Sequence, residues 1–260
     1  TTRSRITGIA IHDNAQIIFI DTPGIFTPKK RLDRAMVAAA WEGAADADCI
    51  ALVIDASRKD PVQDAEDILG SLSSHKTPCL LVLNKVDLVA KPDLLAIAKA
   101  LNEKHSFAAT FMISALQQKG LSELLDDMAA RIPEGPWHYP EDVITDMPAR
   151  LLAAEMTREQ IFNRLHQELP YSIAVETEHL ERRKDGSIDM QQVIYVSRAS
   201  HKGIVLGKSG ATIKAVGQAA RQEIGRQLDE TVHLKLFVKV RENWMDDPER
   251  FHMMGLNPNV

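Results

Sequence analysis

Only two cysteines occur in the 260 residues, Cys49 and Cys79, far apart and each in or beside an apolar run. They read as two buried thiols of a cytosolic protein rather than as a disulfide or a metal pair. Nothing in the chain approaches the roughly 20 uninterrupted apolar residues of a membrane span, and no charged-then-apolar segment of the signal type opens it. Nine histidines are present, but none has a ligand spacing such as H-E-x-x-H, which argues against a protein-held transition metal.

What is there is enough to build a core. Apolar residues make up 45% of the chain, and the length suits one large or two ordinary domains. Net charge is −5, yet residues 198–241 carry nine Lys and Arg against three acids, a local balance of +6. A basic region inside an acidic protein is the electrostatic footprint expected for an anionic polymer.

Two halves follow different patterns. Over 1–132, apolar strands alternate with helical stretches. Runs at 6–11 and 15–20 flank a His12-Asp13-Asn14 turn, as in an antiparallel hairpin. Runs at 50–54, 79–83 and 110–113 are nearly continuous, which predicts a parallel sheet covered on both faces. Leu121, Leu124, Leu125, Met128 and Ile132 form a helical stripe that stops at Pro133. Residues 133–148 hold four prolines and no periodicity, and read as a linker. From 149 to 260 the expected order is helix, strand, strand, helix, helix, strand: a small α+β domain, with strands at 172–178, 190–198 and 232–240.

Three short motifs sit at strand ends in the first half: Asp21-Thr22-Pro23-Gly24, Asn84-Lys85-Val86-Asp87 and Ser114-Ala115-Leu116. The Asp87 carboxylate can accept from both the ring N–H and the exocyclic amine of guanine, a donor pair that adenine lacks, and such buried polar pairing discriminates strongly. Asn84 is expected to hold the loop, the stem of Lys85 to cover the ring, and Ser114 with the Ala115 amide to close the other side. Asp21 is placed to act on Mg²⁺ through a coordinated water, and Gly24 to report a γ-phosphate to the segment 25–34 as a switch. Thr2, 19 residues ahead of Asp21, is the candidate second Mg²⁺ ligand. Ras-like proteins carry a glutamine just after this glycine to orient the attacking water. Here the residue is Ile25, which cannot, so any hydrolysis is expected to be slow and to depend on another group, a bound ion or a partner.

No phosphate-binding loop precedes these motifs. Gly207-Lys208-Ser209 imitates the end of G-x-x-x-x-G-K-S, but Gly203 leaves three intervening residues instead of four and the position is too late in the chain. Gly207-Lys208-Ser209-Gly210 reads better as the G-x-x-G loop of a nucleic-acid-binding KH domain, where two glycines admit a close backbone approach and Lys208 meets phosphates. Lys202 and Lys214 lie on the flanking helices, and Ile204, Val205, Ile213 and Val216 are expected to floor the site under the bases.

Together these residues resemble the Era family of bacterial GTPases, in which a Ras-like domain precedes a type II KH domain. The resemblance extends to Thr1-Thr2-Arg3, to Glu168-Leu169-Pro170-Tyr171-Ser172, to Val232-His233-Leu234 and to Trp244-Met245-Asp246-Asp247. It implies a P-loop GTPase sheet of α/β class, GTP or GDP with Mg²⁺, and binding near the 3′ end of small-subunit ribosomal RNA. It also implies a role in assembling the small subunit, peripheral association with the inner membrane, and a monomer. The family's first strand and phosphate loop would precede Thr1, so the chain is expected to begin mid-domain. That strand would lie between 15–20 and 50–54; without it both neighbours lose a partner, and the first domain is expected to be destabilised while the second folds. The leading expectation is a GTP-hydrolysing switch controlling RNA binding. The alternative is that the chain as given is an RNA-binding module whose nucleotide domain holds GTP poorly.

Overall fold

The computed structural model describes residues 6–22, 28, 31–73, 75–165, 173–242, 244 and 256–257. Thr2, Pro23, Gly24, Ile25 and the 168–172 and 245–247 motifs therefore lie outside the described residues. The chain divides into two compact units, Thr1–Asp146 with Phe251–Val260, and Met147–Arg250.

In the first unit, β1 (Ile6–His12) and β2 (Ala15–Asp21) form an antiparallel hairpin, paired from Ile6 with Asp21 to His12 with Ala15. Then follow α1 (Arg31–Ala45), β3 (Ile50–Asp55), α2 (Pro61–Leu72), β4 (Cys79–Asn84), α3 (Lys91–Lys104), β5 (Ala109–Met112) and α4 (Leu121–Arg131). Strands β3, β4 and β5 pair in parallel in that order. The continuous apolar run of β4 has a direct cause, because both its faces are covered. Leu81 and Leu83 pack with Leu69 of α2 and Leu101 of α3, while Leu80 and Val82 pack with Leu124 and Met128 of α4. Helix α2 starts where Asp60 accepts from the Gln63 amide at 3.0 Å and Pro61 supplies a preset φ.

Strands β2 and β3 are not paired with each other; the hairpin and the parallel sheet are separate sheets. Between them runs a cleft of about 1600 Å³, lined by Ile18 and Ile20 of β2, Ala51 and Val53 of β3, and Ala40 and Ala44 of α1. Val53 is 58% exposed in mid-strand, an unusual position for valine in a parallel sheet. The hairpin packs on α4 and β4: Ile17 joins the Leu80, Val82 and Met128 cluster, and His12 Nε2 lies 2.6 Å from Asp126 Oδ1.

The proline-rich segment after α4 is strapped along the hairpin up to Asp146. The buried Gln16 carboxamide accepts from the His138 and Tyr139 amides at 2.9 and 3.0 Å and donates to the Tyr139 carbonyl at 2.8 Å. Further on, the Ile9 amide donates to the Ile144 carbonyl at 2.8 Å, and Thr145 Oγ1 donates to the Thr7 carbonyl at 2.6 Å. Free composition-based linker behaviour is thus confined by specific bonds, which periodicity does not register.

In the second unit, α5 (Ala149–Arg164), β6 (Ile173–Arg182), β7 (Ile188–Val196), α6 (Ala199–Leu206), α7 (Ala211–Leu228) and β8 (Val232–Val240) follow the expected order. Strand β7 is central, antiparallel to β6 and parallel to β8. The β6–β7 hairpin extends further toward its turn than the sequence suggested, because Gly186 at φ 84° lets Arg183 donate to the Ser187 carbonyl at 2.7 Å. Ile161, Ile173, Ile194, Val196, Val205 and Val216 form one buried cluster, and Ile188, Met190, Ala220 and Ile224 another. Gln192, fully buried, is satisfied by Thr157 at 2.6 Å and Thr177 at 3.1 Å.

Candidate functional site

The first site is built at the ends of β4 and β5. Asn84 is the last residue of β4, and its Oδ1 accepts from the Lys85 amide at 2.8 Å and the Ala115 amide at 3.0 Å. One side chain therefore joins two of the three motifs found in the sequence. Lys85 takes the left-handed conformation, φ 63° and ψ 35°, which costs a non-glycine residue about 1 kcal/mol. The Val86 amide donates to the Ile113 carbonyl at 3.2 Å, a second tie between the loops. Ser114 and Lys119 exchange two backbone bonds at 3.0 and 3.1 Å, closing the second loop. Gly120 ends it at φ 70°, where a Cβ would fall 2.6 Å from the Met112 carbonyl oxygen; only glycine fits.

Asp87 is exposed, and its carboxylate takes no hydrogen bond or ion pair among the described residues. A base selector needs that availability. Ser114 is buried, its Oγ accepting from the Gln117 amide at 3.3 Å, and Leu116 is 92% exposed. The Ala115 amide, expected to close one side of the base site, donates to Asn84 Oδ1 and thereby fastens the two loops.

Sequence reasoning missed Asp55. It ends β3 in register with Asn84 of β4, and its Oδ2 receives Lys85 Nζ at 2.7 Å. Its Oδ1 receives the Ser57 amide at 3.0 Å and Ser57 Oγ at 2.6 Å. The Lys85 hydrogen bond, aided by those from Ser57, holds the carboxyl down at about 2. The available signal was an acid at a strand end opposite the motif's asparagine.

For the metal, the described residues bring Asp21 alone. It lies exposed at the end of β2, paired across the hairpin with Ile6, and Thr22 beside it is half-buried against α1. Cys79 is buried and its thiol is pushed up to about 11 by that burial, while Cys49 is half-buried and raised for the same reason. Neither is disposed to nucleophilic chemistry. Residues His12, Asp13 and Asp126 bring ligand-type atoms within 4.8 Å of one another, a grouping that spacing could not reveal because Asp126 is distant in the chain. The His12–Asp126 hydrogen bond accounts for two of the three without an ion.

The second site is the turn between α6 and α7. Gly207 lies at φ 73°, ψ 176°, Ser209 at φ 52° and Gly210 at φ 79°. A Cβ on Gly207 would fall 2.1 Å from Thr212 Oγ1 and 2.9 Å from the Thr212 amide nitrogen, whereas one on Gly210 meets nothing within 4 Å. Lys208 and Ser209 are exposed at the tip, Lys214 is exposed on the first turn of α7, and Lys202 is half-buried on α6. Ile204 is 52% exposed beside them, but Val205 and Val216 are fully buried in the helix–sheet core. Val205 therefore supports the site from beneath and does not offer a contact surface, a correction that follows from which face of α6 meets the sheet.

Two family profiles match the chain, "50S ribosome-binding GTPase" over residues 1–85 and "KH domain" over residues 168–245. The GTPase Era of Sinorhizobium medicae is 60% identical over 257 residues, covering 99% of this chain and 83% of that protein. That of Agrobacterium fabrum is 58% identical, covering 98% and 80%. Among solved structures, a crystal structure of Era in complex with MgGDPNP and nucleotides 1506–1542 of 16S ribosomal RNA superposes with TM-score 0.88 at 36% identity. It covers 98% of this chain and 87% of its own. An Aquifex aeolicus Era variant bound to GDP·AlF4⁻ gives 0.87, again at 36% identity. With this likeness along nearly its whole length, the chain belongs to the Era family of GTPases.

Proposed function

We propose that this protein selects guanine nucleotides through Asp87 and binds small-subunit ribosomal RNA near its 3′ end through the Gly207–Gly210 turn. It serves assembly of the small subunit as a GTP-hydrolysing switch. The observation that carries the nucleotide part is the Asp87 carboxylate, without a partner among the described residues, beside a loop pair already fastened by Asn84. A preformed loop spends none of its binding free energy on ordering. The RNA part rests on a glycine turn that brings backbone close to a strand, with Lys208 and Lys214 exposed around it. GTP or GDP with Mg²⁺ is the cofactor of this reading, Asp21 and Thr2 standing by the metal and Asp21, Thr22, Pro23 and Gly24 by the phosphates. Ile25 makes hydrolysis slow without a partner. No described helix is long and apolar enough to cross a membrane, and the membrane contact in this reading is peripheral.

A second reading is favoured by one specific observation: the cleft between β2 and β3 lies in the nucleotide domain itself. On that reading this chain is an RNA-binding module. A titration with fluorescent GTP, run beside a chain carrying the family's phosphate loop ahead of Thr1, separates the two. Binding by both supports nucleotide selection in this chain. Binding by the extended chain alone supports the RNA module, and binding by neither overturns the nucleotide reading.

A further inference from the structure

The guanine loop contains a lysine in a backbone conformation that lysine does not favour, and a strand-end acid lies against its head. Lys85 is pinned at both ends. Its amide donates to Asn84 Oδ1 at 2.8 Å, and its Nζ meets Asp55 Oδ2 at 2.7 Å, 30 residues back in the chain. Asp55 is itself immobilised. Its other oxygen holds Ser57 twice, and its strand is locked in register with β4, the Ala56 amide donating to the Asn84 carbonyl at 3.0 Å. Lys85 keeps half of its side chain exposed and Asp55 about a third.

An exposed ion pair by itself contributes little stability. Here the pair acts on a strained residue. A side chain with four rotatable bonds is held in one path from its left-handed Cα to a fixed carboxylate, so the aliphatic stem is presented before a ligand arrives. We infer that Asp55 is a positioning residue for base recognition: it holds the Lys85 stem where it covers the guanine plane, and so sets the affinity for guanine nucleotides without touching them. The inference rests on the assignment of Asn84–Asp87 as the guanine loop. Ordering a flexible side chain beforehand removes that cost from binding, an effect of roughly threefold to tenfold in affinity.

The test is a double-mutant cycle on the full chain with a fluorescent GDP as probe. Asp55→Asn and Lys85→Met (which keeps an unbranched apolar stem) are each expected to weaken binding by roughly threefold to tenfold. The double variant is expected to be no weaker than the worse single, because both remove one constraint. Asp55→Glu is expected to restore most of the affinity, and guanosine, GMP and GDP are expected to lose by the same factor. Additive losses, or a loss that grows with phosphate number, would overturn positioning in favour of a general charge effect. Amide hydrogen exchange in the ligand-free chain supplies the independent arm. Exchange at Lys85 and Val86 is expected to quicken in Asp55→Asn while β4 stays protected, and unchanged exchange overturns the inference. If neither the parent chain nor the chain extended with the family's phosphate loop binds fluorescent GDP, the guanine-loop assignment fails, while the exchange result still decides whether Asp55 orders the loop; if only the extended chain binds, the cycle is run on it.

Discussion

Asn84 holds the Ala115 amide at 3.0 Å across 31 residues of sequence, so the loops ending β4 and β5 are one unit rather than two neighbours. The same oxygen takes the Lys85 amide at 2.8 Å. Replacing Asn84 by alanine strands two donors and is expected to cost about 2 kcal/mol of stability in the first unit. Chemical denaturation checks this, and Asn84→Asp, which keeps the acceptor, is expected to lose much less.

In the proposed function base choice resides in Asp87, whose carboxylate is available among the described residues. Asp87→Asn exchanges an acceptor for a donor and is expected to move preference from guanine toward xanthine nucleotides. Competition of GDP against XDP for a fluorescent probe measures it; an unchanged order of preference would remove Asp87 from base recognition.

The two turn glycines are not equivalent. Gly210→Asp meets open space at a positive φ that aspartate tolerates comparatively well, so it is expected to keep the thermal midpoint of the second unit and lose RNA affinity. Gly207→Asp drives its Cβ into Thr212 at 2.1 Å, and is expected to lose RNA affinity together with about 2 kcal/mol of stability. Gel-shift titration paired with thermal melting separates the two effects.

The Asp55–Lys85 pair has a pH signature. The Asp55 carboxyl is lowered from 3.8 to about 2 in the folded chain, chiefly by the Lys85 hydrogen bond. A folded value below the unfolded one stabilises fully above the unfolded value, and that stabilisation is lost as pH falls through the folded one. The stability difference between the parent chain and Asp55→Asn is therefore expected to be flat from about pH 7 to 5 and to narrow from about pH 4 toward 2. A difference that instead widens on acidification would contradict the assignment.

Backbone exchange should report the unpaired edge of β3. The Ile50 and Ala56 amides point to the β4 side, bonding Pro78 and Asn84. By the alternation of a strand, those of Ala51 and Val53 point into the cleft. They are expected to exchange far faster than the amides of β7, which is paired on both sides. Limited proteolysis is expected to consume the first unit and leave a resistant piece from the second; equal resistance of both would contradict this.

The sequence was most legible where chemistry is local. Continuous apolar runs marked β3, β4 and β5, the two glycines marked the α6–α7 turn, and strand ends located Asn84, Asp87 and Ser114. It was mute where a partner is distant. Asp55 meets Lys85 only because β3 and β4 lie in register, and Gln16 meets residues 138 and 139 only because a proline-rich stretch doubles back along the hairpin. Val205 was misjudged because a short helix carries apolar residues on two faces. Ile204 faces outward and Val205 inward, and one position of sequence does not say which is which.

The edges that border the cleft have a consequence for handling the protein. An exposed valine in mid-strand, with N–H groups directed into open space, is a template on which another chain can add a strand. Concentration should therefore change the oligomer distribution through the first unit and leave the second unaffected, and a charged residue at Val53 should suppress that self-association.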